Sequence, residues 1–254
     1  MKRISLLLLV LLMLSSACSN NDKIDLTNVT FNFNHNWDGT AITNTDFNAI
    51  KFTNAYGNQL SIERLRYLIS KITFHKSDGK TIVLEGYNLV DVTNNENLSF
   101  MSSTFVTTGE YSNISFTFGF NNEDNTNNYT DLNTASWIVP DMLGGGYHYM
   151  QFDGKFLNDA NKEQGFNYHA IRAVDNPGEN PSFPQDTFIV INLGPTAITS
   201  NATFNIEMNI AEWFKTPNTW NLNELNQALM PNSAAQIMMN ENGQNVFSLE
   251  SVNQ

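Results

Sequence analysis

The chain has 254 residues, enough for one large domain or two small ones. Acidic residues number 25 against 13 basic ones, a net charge of −12, and no basic patch is present; nucleic acid is therefore excluded as a natural partner. Aromatic residues make up 12 % of the chain, almost as much as the 15 % that are charged, so apolar material for a packed core is plentiful.

Met1, Lys2 and Arg3 form a small positive start, and Leu6 to Leu14 follow as an apolar run. A span of the bilayer needs roughly 20 apolar residues, so this run has the length of a signal-peptide core instead. Ser15, Ser16 and Ala17 are small, and Cys18, the one cysteine of the chain, comes next. It has no partner for an intramolecular disulfide. The setting resembles a bacterial lipobox, in which the thiol is diacylated (palmitate-like chains) before cleavage. Two acyl chains anchor stably where one is marginal. The expected organisation is a lipoprotein signal peptide over 1–17, a lipidated cysteine and tether over 18–27, and one domain over 28–254. The expected location is the bacterial cell envelope, at the outer membrane, with the membrane as partner through lipid on Cys18.

Within the domain, apolar positions mostly recur with period two, the mark of half-buried strands. Val29, Phe31, Phe33 and His35 share one face. Leu65 to Phe74 is a longer strand, closed by the Asp78-Gly79 turn. Thr81 to Leu84, Tyr87 to Val92 and Tyr111 to Phe120 follow. Tyr147 to Phe156 is expected to place His148, Met150 and Phe152 on a common face. Gln164 to Val174, Thr187 to Leu193 and Ala202 to Ile210 complete a set of about ten strands, which predicts an all-β, antiparallel β-sandwich. At the C-terminus, Asn221 is a candidate cap for a short helix over Leu222 to Met230, stopped by Pro231. Ser233 is a candidate cap for a second helix through Met239, ended near Asn242-Gly243, and Asn245 to Leu249 suggests a last strand. No break in composition marks a further domain.

Hydrolase and nucleotide-binding signatures are absent from the sequence: no Gly-x-Ser-x-Gly, no phosphate-cradling glycine loop, no His-Glu-x-x-His. Four histidines remain. His75 ends a strand beside a turn and reads as solvent-facing. His35, His148 and His169 each sit among aromatic residues on strands, in Phe33-Asn34-His35, Tyr147-His148-Tyr149 and Phe166-Asn167-Tyr168-His169. Imidazoles on stiff strands suit a mononuclear site for copper, zinc or iron, and a thioether such as Met142 or Met150 would favour Cu(I).

Several segments together resemble the MbnP-like copper-binding family. They are Phe31 to His35, Leu60 to Ser70 running on to Asp78-Gly79, Gly109-Glu110-Tyr111 to Gly119, Gly146 to Gly154, Phe166 to His169, and Asn242 to Ser248. The resemblance implies an all-β domain that binds one copper ion through histidines, here His35 and His169, with His148 as a third candidate. It also implies a tryptophan oxidised to kynurenine by a di-haem partner enzyme of the MauG type. Trp137 lies near that tryptophan segment, with Met142 close by in sequence. Family members often carry Met-x-Trp-x-Trp before the Gly-Tyr strand; this chain has a single, displaced tryptophan there. The reading is a non-catalytic lipoprotein that captures or delivers copper. The alternative is a metal-free surface module for a glycan, peptide or protein, using Trp213 and Trp220 if these are exposed.

Overall fold

Strand Val29–Trp37 buries Val29, Phe31, Phe33 and His35 and turns Asn34 outward, as its period-two pattern predicts. The computed structural model describes residues 25–254, so the signal segment and Cys18 lie outside the described residues. Leu26–Thr27, expected as the end of the tether, already forms a short strand paired with Val106–Thr107.

The described strands form a nine-stranded, a five-stranded and a two-stranded sheet. The large sheet is built around Arg64–His75, which pairs along one edge with Tyr87–Asp91 and Thr81–Val83 and along the other, end to end, with Met150–Leu157 and Gly109–Phe118. Ile189–Ile198 extends it beyond Gly109–Phe118, and Glu163–Ala170 pairs with Met150–Leu157. The smaller sheet centres on Val29–Trp37, Ala202–Asn209 and Phe247–Asn253. The expected β-sandwich is therefore observed, with one departure from an antiparallel plan. Val29–Trp37 and Ala202–Asn209 run parallel, from Val29 opposite Ala202 to Asn36 opposite Asn209. These strands are some 170 positions apart in sequence, so no hairpin turn dictates their direction.

Aromatic side chains fill the space between the sheets. Phe31 stacks on Phe204, with ring centroids 4.9 Å apart. Phe247 of the last strand packs edge-on against Phe116 and Tyr67. Trp213 and Trp220 are completely buried, so neither forms an exposed aromatic platform.

Two elements differ from their sequence-based expectation. Helix Ser233–Gly243 is present and stops at the expected Asn242-Gly243, but its cap is Asn232, one residue before the expected Ser233; the Asn232 side chain accepts from Ala235 N–H. The expected helix over Leu222 to Met230 does not form. Its backbone groups are taken by tertiary partners: Leu222 N–H donates to Asn58 Oδ1, Leu225 C=O accepts from Trp220 Nε1, and Asn226 C=O accepts from Asn167 N–H. With the helical ladder thus displaced, Leu222 and Leu229 anchor an irregular segment in the core.

Candidate metal centre

The register of the large sheet decides which side chains can meet. On adjacent strands Arg66 lies opposite Gln151, and Gln151 opposite His169. One step along, Tyr67 lies opposite Met150, and Met150 opposite Ala170. Neighbouring residues on a strand point to opposite faces. Tyr67 and Met150 face the core between the sheets, so Arg66, Gln151 and His169 face outward.

On that outer face Asp153 organises His169. Its Oδ1 accepts from His169 Nε2 at 2.8 Å and from Asn167 Nδ2 at 2.5 Å, and its Oδ2 pairs with Arg64 Nε. Burial alone would raise this carboxyl, but the bonds from His169, Asn167 and Arg64 prevail and hold it at about 2. A carboxylate can only accept, so Nε2 of His169 carries the proton, and in the neutral ring the lone pair is on Nδ1.

His148 completes the group, from an unexpected direction. Strand Met150–Leu157 begins only at Met150, and His148 lies on the segment before it, bridged to the stretch around Ile138. The alternation expected to align His148 with Met150 and Phe152 therefore does not extend back to it. Its ring lies against His169 at the outer face, centroids 5.3 Å apart and planes at 82°. His148 Nδ1 is 2.9 Å from the Trp137 carbonyl, which only accepts, so Nδ1 is the protonated nitrogen. Nε2 then carries a lone pair, is buried, and has no protein partner. Burial is the main reason that the imidazole is lowered to about 4; His169, Arg64 and Arg66 add to it against the opposing effect of the Trp137 carbonyl.

Trp137 is buried beside His148, with ring centroids 5.8 Å apart, and its indole N–H has no partner. The Arg66 guanidinium lies 5.0 Å over the indole and bonds to Gln151 Oε1 and the Ala135 carbonyl.

The pair expected from sequence, His35 with His169, is not brought together. His35 lies between the sheets, where its Nε2 meets the Tyr67 hydroxyl at 3.0 Å, while His169 occupies the opposite face of Tyr67's sheet. Burial lowers His35 to about 4. Met150 is core, and Met142 stands exposed on the turn Asp141–Leu143. His75, expected to face solvent, is half-buried and meets Ser115 Oγ at 2.8 Å.

Among the described residues no three His, Cys, Asp or Glu side chains converge as a metal set. What converges is two histidines, each locked by a hydrogen bond at one nitrogen and free at the other, with an unpartnered indole alongside. Two imidazoles 5.3 Å apart can share one ion at about 2.0–2.1 Å from each nitrogen. The two rings thus offer a single ion two protein nitrogens. Asp153, Arg64, Arg66 and Gln151 were not singled out from sequence. Their signal was present: Arg64-x-Arg66, Gln151-x-Asp153 and Asn167-x-His169 are polar residues alternating with core ones.

The sequence model of the MbnP family matches residues 26–239, a stretch that contains all of these side chains. The chain belongs to the MbnP family. No curated protein matches it. Among solved structures, MbnP from Methylosinus trichosporium superposes with a TM-score of 0.55 at 11 % identity, over 91 % of this chain and 99 % of that one. At that identity the likeness to the Methylosinus MbnP concerns the fold.

Proposed function

We propose that this MbnP-family protein binds a single copper ion at His148 and His169, beside Trp137. Its role would be capture or delivery at the cell envelope, without catalysis, and with lipid on Cys18 as anchor. The observation that carries the reading is the Nε2 atom of His148: a buried basic nitrogen with its lone pair free and its ring fixed by the Trp137 carbonyl. Leaving such an atom unpaired costs roughly 1–3 kcal/mol. Metal-binding histidines are commonly held in this way, by a carbonyl or carboxylate on the other nitrogen. Asp153 does the same for His169.

When bound, copper would supply a soft acceptor for the two imidazoles. The chain itself fixes both tautomers, keeps His148 neutral down to about pH 4, and limits water at Nε2. The oxidation by a di-haem partner that the family resemblance implies would act on Trp137, whose buried indole lies beside His148.

The test is titration of metal-free protein with copper. One equivalent is expected to bind wild type, and the His148→Ala, His169→Ala double variant should lose at least a hundredfold in affinity. His35→Ala should retain the wild-type value. Loss of binding in His35→Ala with retention in the double variant would overturn this site. Mass spectrometry of the N-terminal peptide from membranes tests the acylation of Cys18.

A further inference from the structure

Arg172 is the arginine of the domain left without a partner. Arg64 pairs with Asp153 and Arg66 with Gln151, but the Arg172 guanidinium makes no hydrogen bond and no ion pair among the described residues. Its Nε is fully buried. Its carbon lies 3.6 Å from the centroid of the Phe183 ring, which spreads the guanidinium flat. Phe183 in turn closes onto Gly144, where a Cβ would stand 2.6 Å from the ring, so that glycine is what lets the ring sit there.

Arg172 opens into a cleft of about 390 Å³ whose other walls include the side-chain amides of Asn122, Asn125, Asn127, Asn128 and Asn133. Arg172 is the one charged side chain in the lining. Asn122 donates to Asp186 Oδ1 at 2.5 Å, which leaves its own Oδ1 buried without a donor. Tyr149 lies nearby, sensing the charges of Arg172 and Asp186, and its hydroxyl is also buried and unpartnered. The cleft therefore offers a cationic fork together with the amide ends that internal bonds leave over, Asn125 Nδ2, Asn128 Nδ2 and Asn127 Oδ1.

We propose that this cleft binds a hydroxylated carboxylate of monosaccharide size, a sugar acid. The guanidinium fork matches a planar carboxylate in bidentate fashion. The unused amide ends match ring hydroxyls: Asn125 Nδ2 and Asn128 Nδ2 donate, and Asn127 Oδ1 accepts. A spherical or tetrahedral anion would satisfy Arg172 and leave those amide ends unused. The site is separate from the histidine pair.

The experiment is NMR of the purified protein, following the Arg172 Nε–H signal during titration with glucuronate, galacturonate, N-acetylneuraminate, galactose and inorganic phosphate. At least one acid is expected to shift the signal saturably, with galactose and phosphate tenfold weaker or more. Arg172→Gln should lose at least tenfold in affinity for that acid while binding copper as wild type does. A signal unmoved by every acid would overturn the site. Phosphate as effective as the acids would overturn the carboxylate assignment. The copper titration gives its own result in either case, so failure here and failure of the histidine site are distinguishable.

Discussion

Asp153 is the residue on which the histidine site turns, because one carboxylate sets the tautomer of His169 and ties it to Arg64 and Asn167. Asp153→Asn keeps the shape and puts an amide where the carboxylate was. Copper affinity is expected to fall by about 10–100-fold, the usual effect of losing such a support. Affinity unchanged in that variant would show that His169 needs no orientation. A second expectation concerns acid. His35 and His148 are buried and neutral in the folded state, titrating at about 4 against 6.5 ordinarily. Between those values the unfolded chain binds more protons, so stability is full above about pH 6.5 and is lost as pH falls towards 4. Each group contributes on the order of 3 kcal/mol over that range. Urea midpoints of metal-free protein should fall from pH 7 to pH 5, and less steeply in His35→Leu. Equal midpoints at the two pH values would contradict the burial of both rings.

Strand Met150–Leu157 shows what can be read from sequence at the scale of an element. Its alternating core residues, Met150 and Phe152, were visible in the pattern; the residue at which the strand begins was not. His148 was assigned to the wrong face for that reason, since strand ends are set by bridges to remote segments, here Trp137 and Ile138. The pairing of His148 with His169 depends on the register between strands 163–170 and 150–157, a long-range fact that no local pattern encodes. Val29–Trp37 was legible because one face packs in the core along its length, and Gly109–Phe118 because Ile114, Phe116 and Phe118 alternate in its buried half. The segment after Asn221 misled because its helix-compatible residues meet stronger tertiary partners. Strand 150–157 also carries a tight approach. A Cβ on Gly154 would lie 2.0 Å from the Ser61 carbonyl oxygen and 2.7 Å from the Phe166 ring. Gly154→Ala must move backbone, and a loss of about 3 kcal/mol is expected in urea unfolding. A loss under 1 kcal/mol would mean that the neighbouring Phe52–Thr53 and Gln59–Leu60 ribbon yields easily.

For the molecule as a whole, the two sheets are closed by elements from opposite ends of the sequence. Phe247–Asn253 pairs with Ala202–Asn209, which in turn holds Val29–Trp37. Phe247 also reaches Phe116, Phe118 and Tyr67 of the other sheet. Removing residues 247–254 would bare an aromatic core face along a whole strand edge. Such a truncation is expected to yield insoluble protein, and a soluble, cooperatively unfolding product would contradict this account.

The same closure gives the molecule two poles. Thr27 and Asn28 bond to Asn201, and Thr199 bonds to Gln254, so the first and last described residues emerge side by side. Strand Arg64–His75 runs from the histidine site towards that pole, with His75 opposite Asn113 and Gly109 opposite Ile198. From Arg66 to His75 the strand covers about 30 Å at roughly 3.3 Å per residue. Under the proposed anchoring at Cys18, the protein would be leashed ahead of Asp25 and would stand on the membrane like a buoy on its mooring. The histidines would then ride at the end turned to the open water, where a docking protein would meet them before it met the lipid.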